Sequence, residues 1–121
     1  MPIVKITSYR VGVAHKGSGG ATRYLFLEPA SEEAGPGSGG VKIYFEAKSK
    51  EVGKIAGDVI VATLPEELFS DMYHIVQTER PVFFMWQVLE RSDQLESCGI
   101  ATVEEPIGEG FRDLSEHSEL G

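Results

Sequence analysis

The chain has 121 residues, 41% of them hydrophobic and 25% charged, with a formal net charge of −8. That is the length and make-up of one globular domain with a single core. It excludes disordered and fibrous classes, and no run approaches the ~20 apolar residues of a membrane-spanning helix. The charge is unevenly placed: residues 1–60 carry eight Lys/Arg against six Asp/Glu, a balance of +2, and residues 61–121 carry three against thirteen, a balance of −10. An acidic surface of this kind repels phosphate backbones, so direct nucleic-acid binding is not expected and a basic protein is the electrostatically favoured partner. The same acidity would suit a chain that imitates nucleic acid in a basic protein site.

The first residues, Met-Pro-Ile-Val-Lys-Ile, enter a strand-like alternation and lack the apolar core and small-residue cleavage site of a secretory signal, which points to the cytoplasm. A single cysteine, Cys98, agrees with a reducing compartment. Strands are predicted over about 3–14, 21–28, 41–48 and 54–62, with turn-rich connections between them. The alternation is clearest in the third, where Val41, Ile43, Phe45 and Ala47 share one face and Lys42, Tyr44, Glu46 and Lys48 the other, so this strand is half buried. In the second, Leu25 and Leu27 oppose Tyr24 and Phe26, and apolar character on both faces suggests a position inside the sheet or against a partner.

Glycine marks the connections. Gly17, Gly19 and Gly20 punctuate the first, and the second, 29–40, holds Gly35, Gly37, Gly39 and Gly40 and reads as a mobile surface loop. Gly-Ser-Gly-Gly occurs at 17–20 and again at 37–40, followed by Tyr24 and Tyr44 at the same spacing, which repeated turn chemistry explains without a duplicated unit. Neither run meets the spacing of a phosphate-binding loop, and each leads into a strand instead of the helix N-terminus that would hold a phosphate.

A helix is predicted over about 66–78. Thr63 and Glu66 have capping-box spacing, Pro65 sits at the first turn, and Leu68, Met72, Ile75 and Val76 recur at helical intervals beside Phe69 and Tyr73. Acidic residues lie toward its start, Arg80 lies past its end, and Pro81 stops it. A hairpin follows, with strands at about 82–90 and 95–104 joined through Ser92 and Asp93. The expected fold is a single α+β domain over 1–104: a mainly antiparallel twisted sheet of about six strands, order β-β-β-β-α-β-β, with the helix on one face. The alternative is a partly closed barrel around the helix. The acidic tail, 105–121, carries Phe111 and Leu114 and is expected to dock on the domain or on a partner.

The run Phe83, Phe84, Met85, Trp86 is apolar on both faces of its strand and so needs two covering layers. One set packs beneath the helix; the other is expected to be ordinary core, a pocket lining or a dimer face, and the dimer reading buries Phe83 and Met85, since aromatic and Met side chains are enriched at interfaces. Trp86, Tyr73 and His74 are the candidate lining of a small-molecule cavity between helix and sheet, with Tyr24, Tyr44 and Arg23 as supporting polar groups. His74 stands one turn from Asp71, a spacing in which a carboxylate could orient an imidazole, but a solvated polar face is the simpler reading. Cys98, without a cationic neighbour in sequence, reads as a packing residue placed across from about Gln87. His15, His74, His117 and Cys98 have no metal-ligand spacing, and no cofactor, metal or catalytic set is assigned. The resulting expectation is a non-catalytic interaction module that forms a homodimer, with a small-molecule binding domain or minor enzyme as the alternative.

Overall fold

The computed structural model describes residues 2–15, 21–47 and 52–102. Seven strands form one mixed sheet: β1 (Ile3–His15), β2 (Ala21–Pro29), β3 (Val41–Glu46), β4 (Gly53–Ala56), β5 (Val59–Pro65), β6 (Val82–Val88) and β7 (Leu95–Ala101). A 3₁₀ turn at Glu66–Leu68 leads into the helix, α1 (Phe69–Thr78). The strand order is β4-β5-β3-β2-β1-β6-β7, antiparallel throughout except where β3 and β5 run parallel. The two outer strands approach each other, with Lys54 bridged to Gln94 and the Ile55 N–H donating to the Asp93 carbonyl at 2.8 Å. The sheet is therefore nearly a closed barrel.

This corrects the expected six-stranded antiparallel open sheet, and the partly closed barrel is the nearer description. The difference arises in the segment 54–62, expected as one strand, which turns at Gly57 and Asp58 into β4 and the start of β5. β5 then lies beside β3 in parallel, and β4 is carried to the outside. Side-chain alternation is the same for either strand direction, so the pattern of β5, with Ile60, Ala62 and Leu64 buried, could not distinguish them.

The register places the two ends of the barrel. At one end lie the ends of β2, β4 and β6 and the starts of β1, β3, β5 and β7; at the other lie β5's end, β6's start and the helix between them. The helix spans this second end instead of lying on one face, and inserts Met72 and Val76 into a core that includes Ile6, Leu25, Ile43, Phe45, Leu64, Val82 and Phe84. Phe69 meets Phe45 edge-on at 5.1 Å. The N-cap lies two residues after the expected one. Pro65 takes the N-cap position without a side-chain cap bond, and Thr63 is part of β5. At the C-terminal end Arg80 Nη1 donates to the Val76 carbonyl at 2.7 Å, satisfying an orphan acceptor where the helix dipole favours a cation.

The connection between β2 and β3, expected as a mobile loop, closes the first end. Gly37 and Gly39 N–H groups donate to the Asp58 carbonyl at 2.8 and 2.9 Å, and the Ala30 N–H donates to the Lys5 carbonyl at 2.9 Å. Gly37, at φ +90°, lies against Val4, Ile60 and Trp86, so closely that a Cβ there would stand 3.3 Å from Val4 Cγ1. Only glycine combines that backbone angle with that approach. The expected dockings of 105–121 and the Gly17–Gly20 turn lie outside the described residues.

Candidate functional site

The three residues singled out as a cavity lining are not brought together. Trp86 is buried at the first end of the barrel, stacked on Phe84 at 5.8 Å and roofed by Gly37. Tyr73 is on the helix at the opposite end, half-buried between Tyr9 (6.1 Å) and Phe69 (5.7 Å). His74 is exposed, and its backbone carbonyl accepts from Thr78 Oγ1 at 2.7 Å; among the described residues no hydrogen bond or ion pair joins it to Asp71. Where the helix meets β1 and β6, the cleft lined by Ile6, Tyr9, Val76, Arg80 and Val82 closes without room for a water molecule. No polar or charged side chain other than the Trp86 indole is buried among the described residues.

β6 is covered on both faces, as its composition requires. Phe84 and Trp86 point into the core, while Phe83 and Met85 lie on the other side and are 7% and 4% exposed. β7 flanks them, with Phe83 opposite Ala101, Met85 opposite Gly99 and Trp86, not Gln87, opposite Cys98. Burial pushes the Cys98 thiol up to about 12, so at neutral pH it is a protonated packing group and a poor nucleophile.

Two surfaces stand out instead, both built from the β1–β2 hairpin. On the outer face of the sheet Tyr24, Phe26 and Tyr44 form a continuous aromatic group: Tyr24 to Phe26 at 4.7 Å and Phe26 to Tyr44, edge-on, at 5.8 Å. The Tyr24 ring lies down over Gly12, where a Cβ would come within 2.2 Å of it; a backbone without a side chain is what holds the ring against the sheet. Lys42 places its ammonium 5.6 Å from the Phe26 centroid. Ala14, Thr22, Tyr24, Phe26, Tyr44 and Glu46 line an open depression of about 520 Å³. The register sets Tyr24 and Tyr44 directly opposite each other, away from the helix–sheet cavity in which the sequence suggests them as supporting polar groups.

The second surface is the inner face of the same hairpin. β1 has 13 residues, but β6 pairs with it only from Ile3 to Ile6, and beyond that point it projects past the helix with β2 as its pairing partner among the described residues. Tyr9, Val11 and Val13 share the inner face with Leu25 and Leu27. Tyr9 is engaged by Tyr73, whereas Val11 and Val13 are 39% and 65% exposed. Below them Arg23 spreads over the Phe69 ring at 5.8 Å, and Leu68 is also exposed. This projection was not legible in the sequence, because an unbroken strand pattern does not say where a neighbouring strand stops.

Among the described residues no three His, Cys, Asp or Glu side chains gather closely enough to hold a metal ion, and the ion pair recorded there is Arg10 with Glu28 at 3.2 Å on the exposed outer face. Among the described residues no helix is long and apolar enough to cross a membrane. The fold and these surfaces thus define a small, nearly closed mixed β-barrel that is plugged by one helix and extended at one end by a β-hairpin arm. No protein-family model matches the chain, and comparison with curated proteins and with solved structures finds no match.

Proposed function

We propose that this chain is a small non-catalytic interaction module that works in the cytoplasm as a homodimer. The observation that carries the reading is apolar surface left uncovered where the hairpin projects, with Val11, Val13 and Leu68 exposed; the remaining exposed large apolar side chain among the described residues, Leu89, lies past the end of β6 at the other end. Phe83 and Met85, the residues the composition first suggested for an interface, are buried within the single chain, so the contact is better sought on the arm. Absolute mass by light scattering after gel filtration, at low and high salt, tests it. A dimer that resists salt is expected, because apolar contacts are not screened; a monomer at every concentration would remove the reading.

A second reading rests on the outer depression. Its one charged lining residue is Glu46; Lys42 already stands over Phe26, so a basic side chain or small organic cation would be taken by Glu46 with the Tyr24 and Tyr44 rings. Loss of chemical-shift changes at Tyr24 and Tyr44 in a titration with oligo-arginine would count against it.

A further inference from the structure

Resting on the cation-binding reading of the outer depression, we propose that this site takes a small quaternary ammonium compound, a trimethylammonium cation without an acidic group, held among the Tyr24, Phe26 and Tyr44 rings with Glu46 as its counter-ion. The sheet register assembles the site. Tyr24 and Tyr44 are direct partners on β2 and β3, and Phe26 and Glu46 each stand two residues further along their strands, on the same outer face. Ala14 and Thr22, partners across β1 and β2, are small and leave room beside the rings for the depression of about 520 Å³. That lies within the size of small-molecule sites, roughly 300–1,000 Å³.

The angles between the rings select the shape of the cation. Tyr24 and Phe26 are tilted by 35° and Phe26 meets Tyr44 at 77°, so the group presents aromatic surface in two nearly perpendicular directions. The Tyr24 ring, lying over Gly12, has one face against the sheet and the other turned outward. A planar guanidinium stacks on a single ring face. A rounded trimethylammonium group can touch surfaces at a right angle to each other, and aromatic rings attract it without a hydrogen bond.

Hydration selects among the ammonium types. A primary ammonium is compact and strongly hydrated, and a lining that is mostly apolar replaces little of the water it would lose. Lys42 shows that behaviour within the molecule: its ammonium stands 5.6 Å from the Phe26 centroid while the side chain stays exposed. Four residues along β3, about 13 Å away, Glu46 is the charged group of the lining, and among the described residues its carboxylate has no ion-pair partner. A carboxylate or phosphate on the ligand would be repelled there, which is why the cation carries no acidic group.

The test is a titration followed by the ring-proton NMR signals of Tyr24 and Tyr44, comparing choline with ethanolamine, which has the same skeleton and a primary ammonium. Choline is expected to shift both tyrosines saturably and to bind about fivefold tighter than ethanolamine, the ratio that one exposed cation–ring contact supplies. Betaine and phosphatidylcholine vesicles, which set an anionic group beside the same cation, are expected to bind more weakly than choline. Glu46→Gln is expected to weaken choline about two- to fivefold, the range of an exposed ion pair, and Lys42→Gln, which removes a competing cation, to tighten it, with circular dichroism checking that both variants fold. Ethanolamine, betaine or the vesicles binding as well as choline, or both variants changing the affinity in the same direction, would overturn the quaternary assignment and leave the cation reading standing. No shift with choline, ethanolamine or oligo-arginine would overturn both.

Discussion

Replacing Gly37 with alanine measures how firmly the 30–40 connection closes the barrel, and Gly35 provides the control. Both glycines have left-handed backbones, φ +90° and +79°. A Cβ at Gly35 meets nothing within 4 Å, whereas at Gly37 it meets Val4 Cγ1 at 3.3 Å, Ile60 Cδ1 at 3.4 Å and Trp86 Cη2 at 3.6 Å. Left-handed geometry costs a residue with a Cβ about 1–2 kcal/mol. Restricting the unfolded chain returns about 0.4–1 kcal/mol. Gly35→Ala is therefore expected to lose on the order of 0.5–1 kcal/mol, the difference between those terms. Gly37→Ala carries the same backbone term plus crowding in a packed site, where overpacking adds about 1–3 kcal/mol. Urea unfolding followed by the fluorescence of the single tryptophan reads the difference directly, since Trp86 lies in contact with position 37. At roughly 4–8 °C per kcal/mol for a domain near this size, the two variants should also separate in melting temperature. Equal losses in the two would show that Val4 yields without cost, and the expected crowding at Gly37 would be wrong.

The core and the cysteine give two further expectations. Phe84 is fully buried and stacked on Trp86, so Phe84→Ala should cost about 3–5 kcal/mol in urea unfolding, whereas Phe26→Ala, on the half-exposed outer face, should cost clearly less; similar values would contradict the assignment of faces on these strands. For Cys98 the unfolded thiol ionises near 9.0 and the folded one near 12, so between those pH values the unfolded chain has released a proton that the folded chain keeps. Stability therefore falls as pH rises through that window, by up to about 1.4 kcal/mol per unit from this group. Cys98→Ala should show a shallower decline above pH 9.0 than the unaltered chain, and coincident curves would refute the burial of the thiol.

Much of the secondary structure is a property of local pattern. The alternation of Val41, Ile43 and Phe45, the helical spacing of Met72 and Val76, and the turn between β6 and β7 each follow from side-chain periodicity and turn chemistry within a few residues. The two-sided apolar character of β6 likewise required two covering layers, and both Phe84 and Met85 are buried. The direction of β5 did not follow, because parallel and antiparallel neighbours bury the same alternate residues. Nor did the closing of the barrel, which depends on a bridge between Lys54 and Gln94, forty residues apart in the chain.

The candidate site divides in the same way. Sequence alone showed that Tyr24, Tyr44, Trp86 and Tyr73 were available, and it grouped Trp86 with Tyr73 and His74 on the assumption that the helix lies along β6. The tertiary arrangement sends the helix across one end of the barrel and leaves Trp86 at the other, so that grouping dissolves. It also decides that β6 ends its pairing at Ile6 while β1 continues to His15, and this alone makes Val11 and Val13 surface residues. Local periodicity determines which side of a strand is apolar; whether anything covers that side depends on where the neighbouring elements begin and end, and contacts between residues distant in the chain set those limits.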